Sequence, residues 1–191
     1  MPDARHRPQR AQRRRLDAPV VGAVSRFDPV KGLDVLIAAV ARLEGVHLEI
    51  IGDGSERAAL ERLIDELGVS DRVHLVGWMP AARHELVNFD VVVLPSRLEG
   101  MPMVLIEAMQ AGTATIATDV GSVREVVEDG VSGRVVPPDD VDALAAAMTA
   151  VAKRGPVEMS EDARASVLDL GLDAMAERLV VEGHAYYCYC S

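Results

Sequence analysis

Aromatic side chains make up only 3% of this 191-residue chain, so its interior must be built from Val, Leu, Ala and Ile. Such a core is the habit of buried parallel strands and the helices that cover them. Cysteine is nearly missing. Cys188 and Cys190 are the only two, and both lie in the last four residues as C-x-C. They are too close for a structural disulfide and have no second ligand pair beside them, which fits a protein of the cytoplasm. No apolar run reaches the ~18 residues of a membrane-spanning helix. Residues 1–15 are Arg-rich and lack the apolar region of a secretory signal. Localisation is expected to be cytoplasmic, with peripheral attachment to a membrane left open.

Basic charge is scarce outside that start. Six arginines fall in residues 1–15 against one aspartate, leaving 14 basic and 29 acidic side chains in residues 16–191, a net charge of −15. An acidic body argues against a general nucleic-acid surface. What is abundant is apolar: 49% hydrophobic residues with 26% charged, enough for one globular core. Residues 1–18 read as a disordered leader or linker remnant, 19–155 as one domain, and 156–191 as a helical segment and tail.

From Pro19 onward short apolar runs alternate with helical patterns. Strands are expected at 19–25, 46–51, 72–77, 90–95, 114–118 and 133–138. Helices are expected at 30–43, at 55–67 with Ser55 as N-cap and Gly68 beyond its end, at 81–87, 102–111, 122–128 and 139–152, and from 172 to about 181. The run D-V-V-V-L-P has no polar alternation, so both of its faces should be covered. The order implies an α/β domain: a Rossmann-like, doubly wound parallel sheet of about six strands, with right-handed crossovers and helices on both faces. Ligands bind such sheets at the carboxyl ends of the strands, so the strand-to-helix turns carry the information.

Three turns stand out. The first, S-R-F-D-P-V-K-G, places Arg26 and Lys31 after a strand and before a helix, where a guanidinium and an ammonium can meet an anion drawn to the helix N-terminus. Alone, it reads more readily as a solvated loop, since loops are rich in charge. The second, G-D-G-S-E-R at 52–57, lacks the third glycine of a dinucleotide fingerprint and follows the second strand. A tight turn explains it at least as well. The third is S-R-L-E-G-M-P-M-V-L-I-E-A-M-Q-A-G at 96–112. Gly100 would admit a ligand to the backbone, and Pro102 suits a first helical turn. The unpaired N–H groups of that turn suit phosphate. At ~1.5 Å rise per residue Glu107 lies roughly 7–8 Å behind the helix start. Glu99 is therefore read at the mouth and Glu107 deeper on the flank. A carboxylate at the second position can accept two hydroxyl hydrogens, as a ribose diol offers.

As a set, these motifs, with V-H-L-V-G-W, A-T-D-V-G-S-V-R-E-V-V and G-R-V-V-P-P-D-D, resemble the C-terminal, nucleotide-sugar-binding half of retaining glycosyltransferases of the GT-B fold, family-4 type. Glu99 to Glu107 matches that family's E-x7-E signature. The resemblance, from about Val20 to Val181, implies transfer of a hexosyl-type group from a nucleotide diphosphate sugar with retention of configuration. It implies three catalytic residues: Arg26 and Lys31 on the diphosphate, and Glu99 near the anomeric carbon. It implies donor contacts from the backbone of Gly100, Met101, Pro102, Met103 and Val104, from Glu107 on the ribose, and from the Gly77-Trp78-Met79 turn against the base. No metal or other cofactor is implied. The family's N-terminal acceptor domain has no counterpart in the 18 residues before the first strand, so the chain is expected to bind donor but turn over nothing alone. The other readings are a non-catalytic sugar-nucleotide-binding subunit of a split enzyme, a GT-B epimerase, and a glycosidase using Glu99 and Glu107 as its carboxylate pair.

Overall fold

The computed structural model describes residues 18–154 and residue 165. The Arg-rich first 15 residues, the helix expected at 172–181 and the C-x-C pair lie outside them. Six strands alternate with helices: β1 (Val20–Val24), α1 (Leu33–Ala41), β2 (His47–Ile51), α2 (Arg57–Glu66), β3 (Val73–Gly77), β4 (Val91–Leu94), α3 (Met103–Gln110), β5 (Ala114–Thr118), α4 (Val123–Val126), β6 (Arg134–Val136) and α5 (Val141–Arg154). All pairings are parallel, in the order β3-β2-β1-β4-β5-β6. This is the doubly wound order of the Rossmann fold.

The aliphatic composition is spent on two apolar layers. Val91 and Val93 of β4 face a core completed by α1, α2 and α5. Val92 and Leu94 of the same strand face a second core completed by α3 and α4. A strand buried on both faces needs no polar alternation, which is why β4 reads as an uninterrupted apolar run. Among the described residues no helix is long and apolar enough to cross a membrane.

Several helix starts differ from their sequence reading, four of them instructively. The segment expected as one helix from 30 is a 3-10 turn, Pro29–Lys31, separated from α1 by Gly32 in the left-handed region (φ 62°). The helix expected from Ser55 begins at Arg57 without a side-chain cap. Its start is tied instead across the fold, the Glu56 N–H donating to the Phe27 carbonyl at 3.1 Å. The short helix expected at 81–87 is a 3-10 segment, Ala82–Asn88. Pro102 is the residue before α3, not part of its first turn.

Candidate functional site

The strand order decides where a crevice can form. After β1 the chain leaves to one face of the sheet, where α1 packs, and after β4 it leaves to the other, where α3 packs. β1 and β4 are neighbours, so their carboxyl ends bound a gap covered by neither crossover. A concavity of about 280 Å3, shared at its mouth with solvent, lies there. It is lined by Val24 and Ser25 from the end of β1, Leu94 from the end of β4, Met101–Val104 at the start of α3, and Lys31 and Glu99.

Lys31 reaches this place through its turn. Asp28 accepts from the Val30 N–H at 3.0 Å and Pro29 fixes φ, so the chain folds into a 3-10 turn. Gly32 then closes against the β4 end: a Cβ there would stand 2.1 Å from the Pro95 carbonyl oxygen. The contact requires a glycine on distance and on φ.

Glu99 and the loop around it are held at several points. Its Oε1 accepts from Lys31 Nζ at 2.7 Å and from Ser96 Oγ at 2.6 Å. The Thr118 hydroxyl, at the end of β5, donates to the Ser96 carbonyl. The Ser122 N–H donates to the Gly100 carbonyl at 3.3 Å. Gly121 (φ 53°) packs so tightly that a Cβ would lie 1.9 Å from the Glu99 carbonyl oxygen.

The Lys31 and Glu99 side chains are 9% and 6% exposed. Two charges taken out of water at this depth persist only when paired and further hydrogen-bonded, and both conditions hold. The depths of the two glutamates reverse the sequence reading. Glu99 is buried, while Glu107 on α3 is only half-buried. The rise along a helix gives distance from its start, but not which way the preceding loop folds. Here the loop tucks Glu99 under Gly121.

The residues singled out in the sequence fall into two groups. Lys31, Glu99, Met101, Pro102, Met103 and Val104 line the concavity. Arg26 is half-buried in the β1–α1 loop, Gly100 is exposed in the β4–α3 loop, and Glu107 lies on the next turn of α3. Gly77, Trp78 and Met79 close the edge strand β3, where Trp78 is 56% exposed. Gly77 is bound to the rim of β2, its carbonyl accepting from the Gly52 N–H at 2.9 Å.

The sequence reading missed Ser96, Arg97, Thr118 and Gly121. Their one local signal is a polar residue or glycine just where an apolar strand stops. α3 adds eight residues of aligned peptide dipoles with its N-terminus at the concavity. The arrangement can receive an anionic group at the helix start beside Lys31, with a hydroxyl-rich group against Glu99.

Comparison with known proteins places the fold in a family. The family model described as Glycosyl transferases group 1 matches residues 5–166. The chain is 40% identical over 132 residues to the lipopolysaccharide core biosynthesis glycosyltransferase LpsE of Rhizobium meliloti, covering 69% of this chain and 39% of that protein. It is 39% identical over 153 residues to the D-inositol 3-phosphate glycosyltransferase of Mycolicibacterium smegmatis, covering 75% and 35%. The chain thus spans little more than a third of the length of these relatives. Among solved structures it is similar to sucrose-phosphate synthase from Thermosynechococcus elongatus (TM-score 0.79, 32% identity, 85% of this chain and 44% of that one). It is also similar to Anabaena HepE in complex with UDP and glucose (TM-score 0.76, 26% identity, 86% and 48%).

Proposed function

Because the chain belongs to the glycosyl transferases group 1 family, and its sheet is the Rossmann-like unit of GT-B enzymes, we propose that it is the donor-binding part of a retaining glycosyltransferase. One observation carries the reading: a buried lysine–glutamate pair at the switch point of the sheet, beside the start of α3. A nucleotide diphosphate sugar needs a cationic seat for its phosphates and a hydroxyl acceptor for its sugar, and the pair provides one of each.

In this proposal Lys31 and Arg26 neutralise the diphosphate, with no metal required. The backbone from Gly100 to Val104 holds phosphate oxygens and sugar hydroxyls. Glu99 contacts the transferred sugar near its anomeric carbon, Glu107 accepts from the ribose hydroxyls, and the Gly77-Trp78-Met79 rim meets the base. As the bond from the anomeric carbon to the diphosphate breaks, negative charge grows on the departing phosphate. Fixed cations and a helix N-terminus aimed at that charge lower the barrier without reorganising. The concavity opens to solvent at its mouth, so the sugar–diphosphate end of the donor is placed in it, with the nucleoside lying across the rim.

Acceptor selection is assigned to polypeptide other than this chain. The test is a thermal-shift panel of UDP-, GDP- and ADP-sugars. HepE was seen with UDP and glucose, so UDP-glucose comes first. A donor at 100 times its Kd stabilises the native state by about 2.7 kcal/mol, which raises Tm by roughly 5–10 °C for a domain of this size. No shift with any nucleotide sugar overturns the reading. Glycosyl transfer by this polypeptide alone overturns the assignment of acceptor selection to other polypeptide, and free-sugar release or epimer formation overturns the transferase reading.

A further inference from the structure

Arg97 touches none of the concavity, yet it is bonded on every side. Its Nε donates to Asp139 Oδ1 at 2.7 Å. One terminal nitrogen donates to the Pro29 carbonyl at 2.5 Å and to Asp34 Oδ1 at 2.9 Å. The other donates to Asp34 Oδ2 at 2.7 Å. Its backbone N–H donates to the Val30 carbonyl at 2.7 Å. These partners belong to three separate pieces: the 3-10 turn, the first turn of α1, and the loop between β6 and α5, where Asp139 is itself left-handed (φ 57°).

The sequence positions of these contacts matter. Arg97 is two residues before Glu99. Pro29 and Val30 are the two residues before Lys31. One side chain and one backbone N–H therefore join the two short segments that present the buried ion pair, which the chain otherwise separates by 68 residues. The bidentate, planar fork on Asp34 fixes orientation as well as distance. Burial of Asp34 favours its neutral form, but the hydrogen bonds and charge of Arg97 prevail and hold its carboxyl below the ordinary range. Arg97 is raised in turn, first by its hydrogen bond to Asp34.

We propose that Arg97 is a positioning residue: by clamping the Pro29–Lys31 turn to the Ser96–Glu99 loop, it sets the alignment of Lys31 Nζ with the Glu99 carboxylate, and through it the affinity of the site for donor. The consequence for donor rests on the function proposed above; the alignment does not.

The experiment separates the two. Lys31→Met, Glu99→Gln and the double variant form a cycle, measured by urea unfolding, whose coupling reports how well the buried pair is aligned. The cycle is run in the natural background, in Arg97→Lys, which keeps the charge but not the fork, and in Asp34→Asn, which keeps Arg97 but removes its bidentate partner. The natural coupling is expected at about 20-fold or more in the unfolding equilibrium constant, falling below about threefold in both altered backgrounds. A merely structural role would lower overall stability and leave the coupling intact, and that result overturns the proposal. UDP-glucose titration of the same proteins reads the second consequence: affinity is expected to fall about tenfold in Arg97→Lys. If the natural protein binds no nucleotide sugar, the donor reading fails while the coupling still decides the role of Arg97.

Discussion

A single methyl group at Gly121 should damage the site from a distance, and the same group at Gly100 should damage only binding. At Gly121 the backbone sits at φ 53°, and a Cβ would lie 1.9 Å from the Glu99 carbonyl oxygen and 2.8 Å from its carbonyl carbon. An alanine there carries about 1–2 kcal/mol for the left-handed conformation. Relieving the overlap requires about 1 Å of backbone movement, an overpacking cost of about 1–3 kcal/mol. Gly121→Ala is therefore expected to lose about 3 kcal/mol in urea unfolding and to melt roughly 6–12 °C lower. The displaced atoms belong to Glu99 itself, so donor affinity should also fall, by about tenfold or more at a temperature where the variant is folded. At Gly100, by contrast, a Cβ would meet nothing within 4 Å. Gly100→Ala should leave stability within about 0.5 kcal/mol, while under the proposed donor placement the added methyl stands in the way of a phosphate or sugar at the backbone and is expected to cost about tenfold in affinity. Calorimetric titration with UDP-glucose, alongside unfolding of both variants, reads all four quantities. If Gly121→Ala is as stable as the natural protein, or Gly100→Ala binds donor unchanged, the account of this loop is wrong.

Glu107→Ala should reduce affinity for nucleotide sugar by about 10–100-fold, the value of hydrogen bonds to a charged acceptor, with little change in Tm because the side chain is only half-buried; equal binding by both proteins would remove the ribose role. The chain has one tryptophan, and Trp78 is largely exposed at the β3 rim, so its fluorescence should respond to UDP or UDP-glucose and not to inorganic pyrophosphate. An identical response to pyrophosphate would place the base elsewhere. Acid should weaken the Arg97 clamp: with the Asp34 carboxyl held below its ordinary 3.8, the unfolded chain binds the proton first. That contribution to stability is complete above about pH 4 and is lost as pH falls through the lower folded value. Asp34→Asn should therefore flatten the acid limb of a stability–pH curve below about pH 4, and an unchanged limb would contradict the assignment.

Local chemistry was enough for the architecture. Apolar runs without alternation, such as 90–95, must be covered on both faces, and alternation with helical patterns leaves few arrangements other than a parallel doubly wound sheet. Resemblance of the whole motif set, not spacing alone, grouped Lys31, Glu99 and the start of α3, and the structure brings these residues together around one concavity. Burial and pairing were beyond the reach of the motifs. Lys31 and Glu99 meet because β1 lies next to β4, and hydrophobic period records which face of an element is covered without recording by what. The same limit hid Gly32, whose left-handed break depends on the Pro95 carbonyl beside it, and Ser55, whose capping role is taken over by a bond to Phe27. It put Glu99 at the mouth when Gly121 and Thr118, both from beyond the next helix, fold its loop inward. The residue types proposed for donor binding were legible along the chain; tertiary structure alone decided that two opposite charges, Lys31 and Glu99, would be buried against each other, with Arg97 bonded to the turn that carries the one and part of the loop that carries the other.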